Sequence, residues 1–137
     1  MKTALDSNVL SAIWSAEPSV DRVKKQLVKA RAEGSIVICA VVYAELAAHP
    51  LVSPGIVDRL LAEADITVEF DLDAPIWRKA ADGFAAYAQR RRRPGGTSPK
   101  RLLPDFLIAA HALLGANRLL TLDPSRYQPD FPQLHLM

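Results

Sequence analysis

Ile36-Val37-Ile38-Cys39 is the segment that leaves this chain the fewest options. A continuous apolar, β-branched run marks a strand covered on both faces, because a half-exposed strand would alternate with polar residues. Such a strand needs helices above and below it, and the flanking sequence supplies them. Lys2 to Leu5 reads as a short strand, and Asp6-Ser7-Asn8 offers capping chemistry for a helix from Val9. After a break at Glu17-Pro18-Ser19, Val20, Val23, Leu27 and Ala30 fall at helical spacing, and Gly34 closes that helix.

The pattern then repeats. Val41 to Ala48 reads as a helix that stops at His49-Pro50, and Pro54 to Ala64 as another. Ile66 to Phe70 is a strand candidate. Asp73 caps a long helix running to Arg91, with Pro75 in its first turn and Ile76, Ala80, Phe84 and Tyr87 on one face. Trp77 is expected to join that face, and Trp14 to pack likewise. Pro94 to Pro99 is a loop. Leu103-Pro104-Asp105 opens a helix to Leu114, which Gly115-Ala116-Asn117 ends. Arg118 to Leu122 is a strand, and Leu134 to Leu136 a last short one. Strands separated by helical crossovers imply a mostly parallel sheet with helices on both faces, an α/β chain of three layers.

At 137 residues the chain is expected to form one domain, 1–137, burying roughly two-thirds of its unfolded surface. Half of it is hydrophobic and 23% charged, which excludes a disordered chain. No apolar run reaches the ~20 residues of a membrane helix, and the longest, Ile36 to Ala48, carries Glu45. No membrane partner is therefore expected. The N-terminus shows no basic region before a long apolar stretch, so no secretory signal is read. Cys39 is the single cysteine, which fits a reducing cytoplasm; a buried small hydrophobe is its favoured role.

Four acids border or interrupt apolar segments: Asp6, Glu45, Asp105 and Asp123. Carboxylates set against a core are costly without cations, donors or water. Each has an ordinary explanation taken singly: Asp6 as a helix cap, Asp105 in a first helical turn, Asp123-Pro124 as a turn opening. Glu45 is the hardest to dismiss, since Tyr43, Ala44, Leu46, Ala47 and Ala48 surround it. Ligands collect at the carboxyl edge of parallel sheets, where Asp6 and Asp123 end strands and Glu45 and Asp105 lie near helix starts. Jointly they suggest one acidic pocket. Clustered carboxylates repel unless a cation intervenes, and oxygen ligands suit Mg²⁺ or Mn²⁺. No Cys/His set for zinc is present. His49 and His135 read as surface or structural residues, while His111 lies two helical turns past Asp105.

Net charge is only +2, but its distribution is uneven. Arg90, Arg91, Arg92 and Arg93 form a block, followed after Pro-Gly-Gly by Lys100 and Arg101. A solvated helix end and a phosphate- or partner-binding edge explain that run equally well.

Taken in order, LDSNVL, YAEL, PDFLIAAHAL and LLTLDPSRY resemble the PIN-domain ribonucleases, in particular the VapC toxins of toxin–antitoxin pairs. The resemblance spans essentially the whole chain, and the ordered set is more specific than any one motif. It implies a parallel sheet flanked by helices and a Mg²⁺- or Mn²⁺-dependent endoribonuclease cutting single-stranded or loop regions of RNA. It also implies a homodimer restrained by a small cognate antitoxin. On that resemblance Asp6, Glu45, Asp105 and Asp123 form the catalytic metal-binding quartet, with Ser7, Asn8 and Thr121 orienting ligands or water. The arginine block, Lys100 and Arg101 would contact RNA or antitoxin. Two positions depart from the family: Arg126 stands where many members carry an acid or histidine, and His111 where a small residue or threonine is common.

Three rivals differ in kind. A PIN-like module could bind RNA without cutting it. A signalling receiver also gathers acids and Mg²⁺ at a sheet edge, but it pairs two acids after its first strand, whereas Ser7 follows Asp6 here. No strand-end aspartate follows Cys39 either. A haloacid-dehalogenase-like phosphatase is disfavoured by Asn8 in place of its second loop aspartate.

Overall fold

In the computed structural model, β1 (Lys2–Leu5), α1 (Ser7–Trp14), α2 (Val20–Glu33) and β2 (Ser35–Cys39) lead into α3 (Ala40–Ala47) and α4 (Ile56–Glu63). β3 (Ile66–Glu69), α5 (Ala74–Arg92), α6 (Leu103–Gly115) and β4 (Arg118–Leu120) follow, then a 3₁₀ turn at Pro124–Arg126. The structure describes residues 1–53, 55–96 and 100–137. Pro54, the expected start of a helix, and residues 97–99 of the expected loop lie outside the described residues.

The strands form one sheet in the order β3-β2-β1-β4, with every pairing parallel. Thr3 lies level with Ile36 on one side and with Arg118 on the other. Ile36 to Cys39 are all buried, as a strand covered on both faces requires. The chain steps in one direction from β1 through β2 to β3, then reverses to reach β4. Right-handed crossovers therefore put α1 to α4 on one face and α5 and α6 on the other, giving three layers. α2 packs on β2 and α4 on β3, while α6 packs on β1 and β4 with α5 against it.

Under α5 and α6 lies an aromatic cluster in which Phe106 meets Phe84, Tyr87 and Phe131 at ring-centroid distances of 5.1, 5.4 and 5.9 Å. Gly83 sits in the interior of α5 because a Cβ there would lie 3.1 Å from Phe131 and 3.2 Å from Phe106. Asp73 caps α5 as expected, accepting from the Ile76 amide at 3.2 Å. No helix among the described residues is long and apolar enough to cross a membrane.

Three expectations need correction. α1 begins at Ser7, not Val9, and Asp6 occupies its cap position without a capping hydrogen bond. The strand expected over Leu134 to Leu136 is a single parallel bridge between Leu119 and Leu136, because the segment meets β4 only around one residue. Trp77 leaves the buried face of α5 and is 47% exposed.

Candidate active site

Reversal of the chain between β3 and β4 makes the carboxyl ends of β1 and β4 a topological switch point, where open α/β sheets leave a crevice. Asp6 follows β1 directly. Its amide still donates to the Leu120 carbonyl at 3.0 Å, so the sheet ladder holds its backbone rigidly at that edge. Its side chain is 1% exposed. Asp6 Oδ2 receives the Thr121 hydroxyl at 2.9 Å and the Tyr127 hydroxyl at 2.7 Å. Two hydroxyl donors on one carboxylate oxygen compensate much of the desolvation of a buried charge. Burial and the adjacent Asp6 carboxylate push the Tyr127 phenol far above its ordinary pKa, so it stays a donor.

Thr121 is the hub behind this arrangement. Its hydroxyl donates to Asp6 while accepting from Asn8 Nδ2 at 3.2 Å and from the Asp123 amide at 3.1 Å. Asn8 Oδ1 in turn accepts from the Leu122 amide at 3.2 Å, tying the start of α1 to the end of β4. Ser7 Oγ lies 3.5 Å from Asp6 Oδ1 and 3.3 Å from Glu45 Oε1, between the two carboxylates.

The four acids are unequally placed. Only Asp6 is buried. Asp105, in the first turn of α6, is half-buried, and Asp123 lies at the rim with its side chain 42% exposed. Glu45 is exposed, as are its neighbours Ala44 and Ala48, so the expectation that apolar residues enclose it is wrong. That side of α3 faces outward, and the small side chains beside Glu45 cover little of it. Even so, partial burial of its carboxyl and the nearby charges of Asp6 and Asp105 hold its pKa above the ordinary value. Burial likewise raises the pKa of Asp105, with Asp6 adding to the rise and Arg126 opposing it. Negative charge from three acids therefore converges on one edge.

Arg126 stands among them, its Nη1 3.7 Å from Asp105 Oδ1 and its Nε 3.5 Å from Asp123 Oδ2. Among the described residues, no group of three or more His, Cys, Asp or Glu side chains is already arranged to hold a metal ion. The donor chemistry nevertheless suits a hard cation: oxygen ligands only, in mutual repulsion, with one charge already partly met by a guanidinium. His111 has a different partner. Its Nε2 lies 2.7 Å from Glu69 Oε2, while Lys2 Nζ lies 2.7 Å from Oε1 of the same carboxylate. Burial raises the Glu69 pKa, but those two partners outweigh it and leave it lowered. His49 packs edge-on against Trp14 and lies 3.0 Å from Ser15 Oγ, and His135 is exposed.

The basic run divides in the fold. Arg90 is taken up by an ion pair with Asp130. Arg91, Arg92, Lys100 and Arg101 line a common cleft of about 390 Å³ with Tyr87 and Ala88. Arg93 is exposed at the end of α5. Tyr127 was missed as a functional group from the sequence, carrying no signal beyond its place after the Asp123 turn, whereas Arg126 stood out as a departure from the family but without an assigned partner.

A parallel α/β domain with acids gathered at its switch point defines the class. The chain belongs to the PIN domain family, whose model matches residues 3–131. Its fold is similar to a chain of the VapBC2 complex from Rickettsia felis, solved bound to a DNA fragment from their promoter. That likeness has a TM-score of 0.71 at 21% identity, covering 100% of this chain and 98% of that one. A chain of VapBC-1 from nontypeable Haemophilus influenzae is similar with a TM-score of 0.67 at 21% identity, covering 100% and 97%. No curated protein matches.

Proposed function

We propose that this chain is a Mg²⁺- or Mn²⁺-dependent endoribonuclease of the VapC toxin type, cutting single-stranded or loop regions of RNA. The observation that carries the reading is the buried Asp6, whose Oδ2 accepts from Thr121 and Tyr127 while Oδ1, among the described residues, has only the 3.5 Å Ser7 contact. One oxygen is anchored and the other is left for a ligand. Asp6, Asp105 and Glu45 would hold the ion, with Asp123 at the rim. A divalent ion bound there supplies an activated water and neutralises charge that develops on the scissile phosphate.

The chain's own groups do the positioning. Thr121 and Tyr127 fix the Asp6 carboxylate, Asn8 fixes Thr121, and Ser7 bridges Asp6 to Glu45. Arg91, Arg92, Lys100 and Arg101 would hold phosphates of the RNA strand or acidic groups of an antitoxin. The exposed faces of Phe70 and Trp77, which line a cleft of about 740 Å³ beside α3 and α6, suit stacking of unpaired bases. A small cognate antitoxin and a homodimer are proposed from the likeness to the VapBC structures.

The test is cleavage of a mixed RNA pool with Mg²⁺ or Mn²⁺, with and without chelator, by the wild type and by Asp6→Asn. Cleavage should require the ion and disappear in the variant. Activity indifferent to chelator defeats the metal mechanism. RNA binding without cleavage under every condition identifies a non-catalytic module instead.

A further inference from the structure

We infer that Arg126 is a built-in cation standing in for a second metal ion, which limits this site to one divalent ion held by Asp6, Glu45 and Asp105. The inference rests on the metal-dependent reading above and deepens it.

The acids fall into two groups by their partners. Both Asp123 oxygens are engaged: Oδ1 accepts from Ser125 Oγ at 2.7 Å, and Oδ2 lies 3.5 Å from Arg126 Nε. Asp105 offers Oδ1 to Arg126 at 3.7 Å. Asp6 and Glu45, by contrast, have no Lys, Arg or His within 4.0 Å among the described residues, and they share the Ser7 hydroxyl. Arg126 thus makes its close ion pairs on the Asp105–Asp123 side, and only its longer-range field reaches Asp6 and Glu45.

Arg126 is well suited to stay where it is. Its backbone amide donates to the Asp123 carbonyl at 3.1 Å in the 3₁₀ turn, and the next residue, Tyr127, is 1% exposed. A guanidinium keeps its charge at any physiological pH, so this cation cannot be switched off by proton loss. A second divalent ion between Asp105 and Asp123 would have to displace a group already bearing a positive charge there. Like-charge repulsion at close range disfavours that double occupancy.

Metal stoichiometry reads this directly, with no need for activity. The full chain is titrated with Mn²⁺ by calorimetry, and bound Mn²⁺ is examined by electron paramagnetic resonance. Wild type and Arg126→Lys should bind one ion. Arg126→Glu should bind two, with the exchange-coupled signal of adjacent ions. Arg126→Ala should admit a weaker second ion, and it decides the matter if circular dichroism shows Arg126→Glu unfolded. Two ions in the wild type overturn the inference, as does a single ion in both folded variants. No ion in any form overturns the metal reading itself. An ion bound by Arg126→Glu but not by the wild type overturns the inference, since Arg126 would then exclude even the first.

Discussion

The Tyr127 hydroxyl donates to Asp6 Oδ2 at 2.7 Å, joining two residues 121 positions apart across the carboxyl edge of the sheet. Removing that donor leaves a buried carboxylate oxygen with Thr121 alone. Tyr127→Phe should lower stability by about 1–3 kcal/mol, the scale of a hydrogen bond to a charged group. Urea denaturation should show an earlier midpoint at unchanged m-value, and an unshifted midpoint rejects the anchoring role.

Asp6→Asn has a different outcome. Both hydroxyl donors serve one oxygen, so an amide oxygen can replace it while the amide nitrogen takes the other position. Stability should change by no more than about 1 kcal/mol. RNA cleavage should fall about a hundredfold or more, the scale of losing a preorganised electrostatic group. Full cleavage in a folded Asp6→Asn protein contradicts the site assignment.

Glu45 makes a pH-dependent prediction. Its folded pKa is raised, first by burial and then by Asp6 and Asp105. Between the ordinary carboxylate value and the raised one, the folded chain holds more protons than the unfolded chain. Cation-free stability therefore falls as pH rises through that window, and the full penalty persists above it. In chelator at neutral pH, Glu45→Gln should melt higher than the wild type, with the gain vanishing at pH values below the ordinary carboxylate range. Mn²⁺ should stabilise the wild type more than the variant. Equal melting at neutral pH in chelator removes Glu45 from the repelling set.

Gly83→Ala opposes helix propensity. Alanine would ordinarily gain roughly 1 kcal/mol in a helix interior. Here the new methyl meets Phe131 and Phe106 at 3.1 and 3.2 Å, inside a cluster of interlocked rings. Overpacking costs about 1–3 kcal/mol, so the net effect should be destabilising, read as a lower melting temperature.

The arginine block should divide in solution as it does in the fold. Arg91→Ser with Arg92→Ser should weaken RNA binding and reduce its log–log salt slope by about 1 per lost phosphate contact. Arg90→Ser breaks the pair with Asp130 and should lower stability with little change in that slope. Matching slopes for the two variants would argue against the cleft as a phosphate site.

Much of the architecture follows from periodicity and local chemistry. Ile36 to Cys39 could be placed as a doubly covered strand from side-chain type alone, and Asp73 as a cap from its position before Pro75. Asp6 and Asp105 were readable because strand ends and helix starts of a parallel sheet converge on one edge. Glu45 was misjudged: apolar neighbours in sequence say nothing about which face of a short helix the fold turns outward, and alanines on that face hide little.

The chain's own order of residues determined the alternation of strands and helices, the doubly covered β2 and the convergence of acids near one edge. These depend on local propensity and hydrophobic period, which neighbouring residues carry. Only the tertiary structure decided that Tyr127 would anchor Asp6, that Arg126 would lie between Asp105 and Asp123, and that His111 would pair with Glu69. Apart from the local Arg126–Asp123 pair, those contacts join groups far apart in sequence, and their geometry is set by how the sheet edge, α6 and the C-terminal turn pack together.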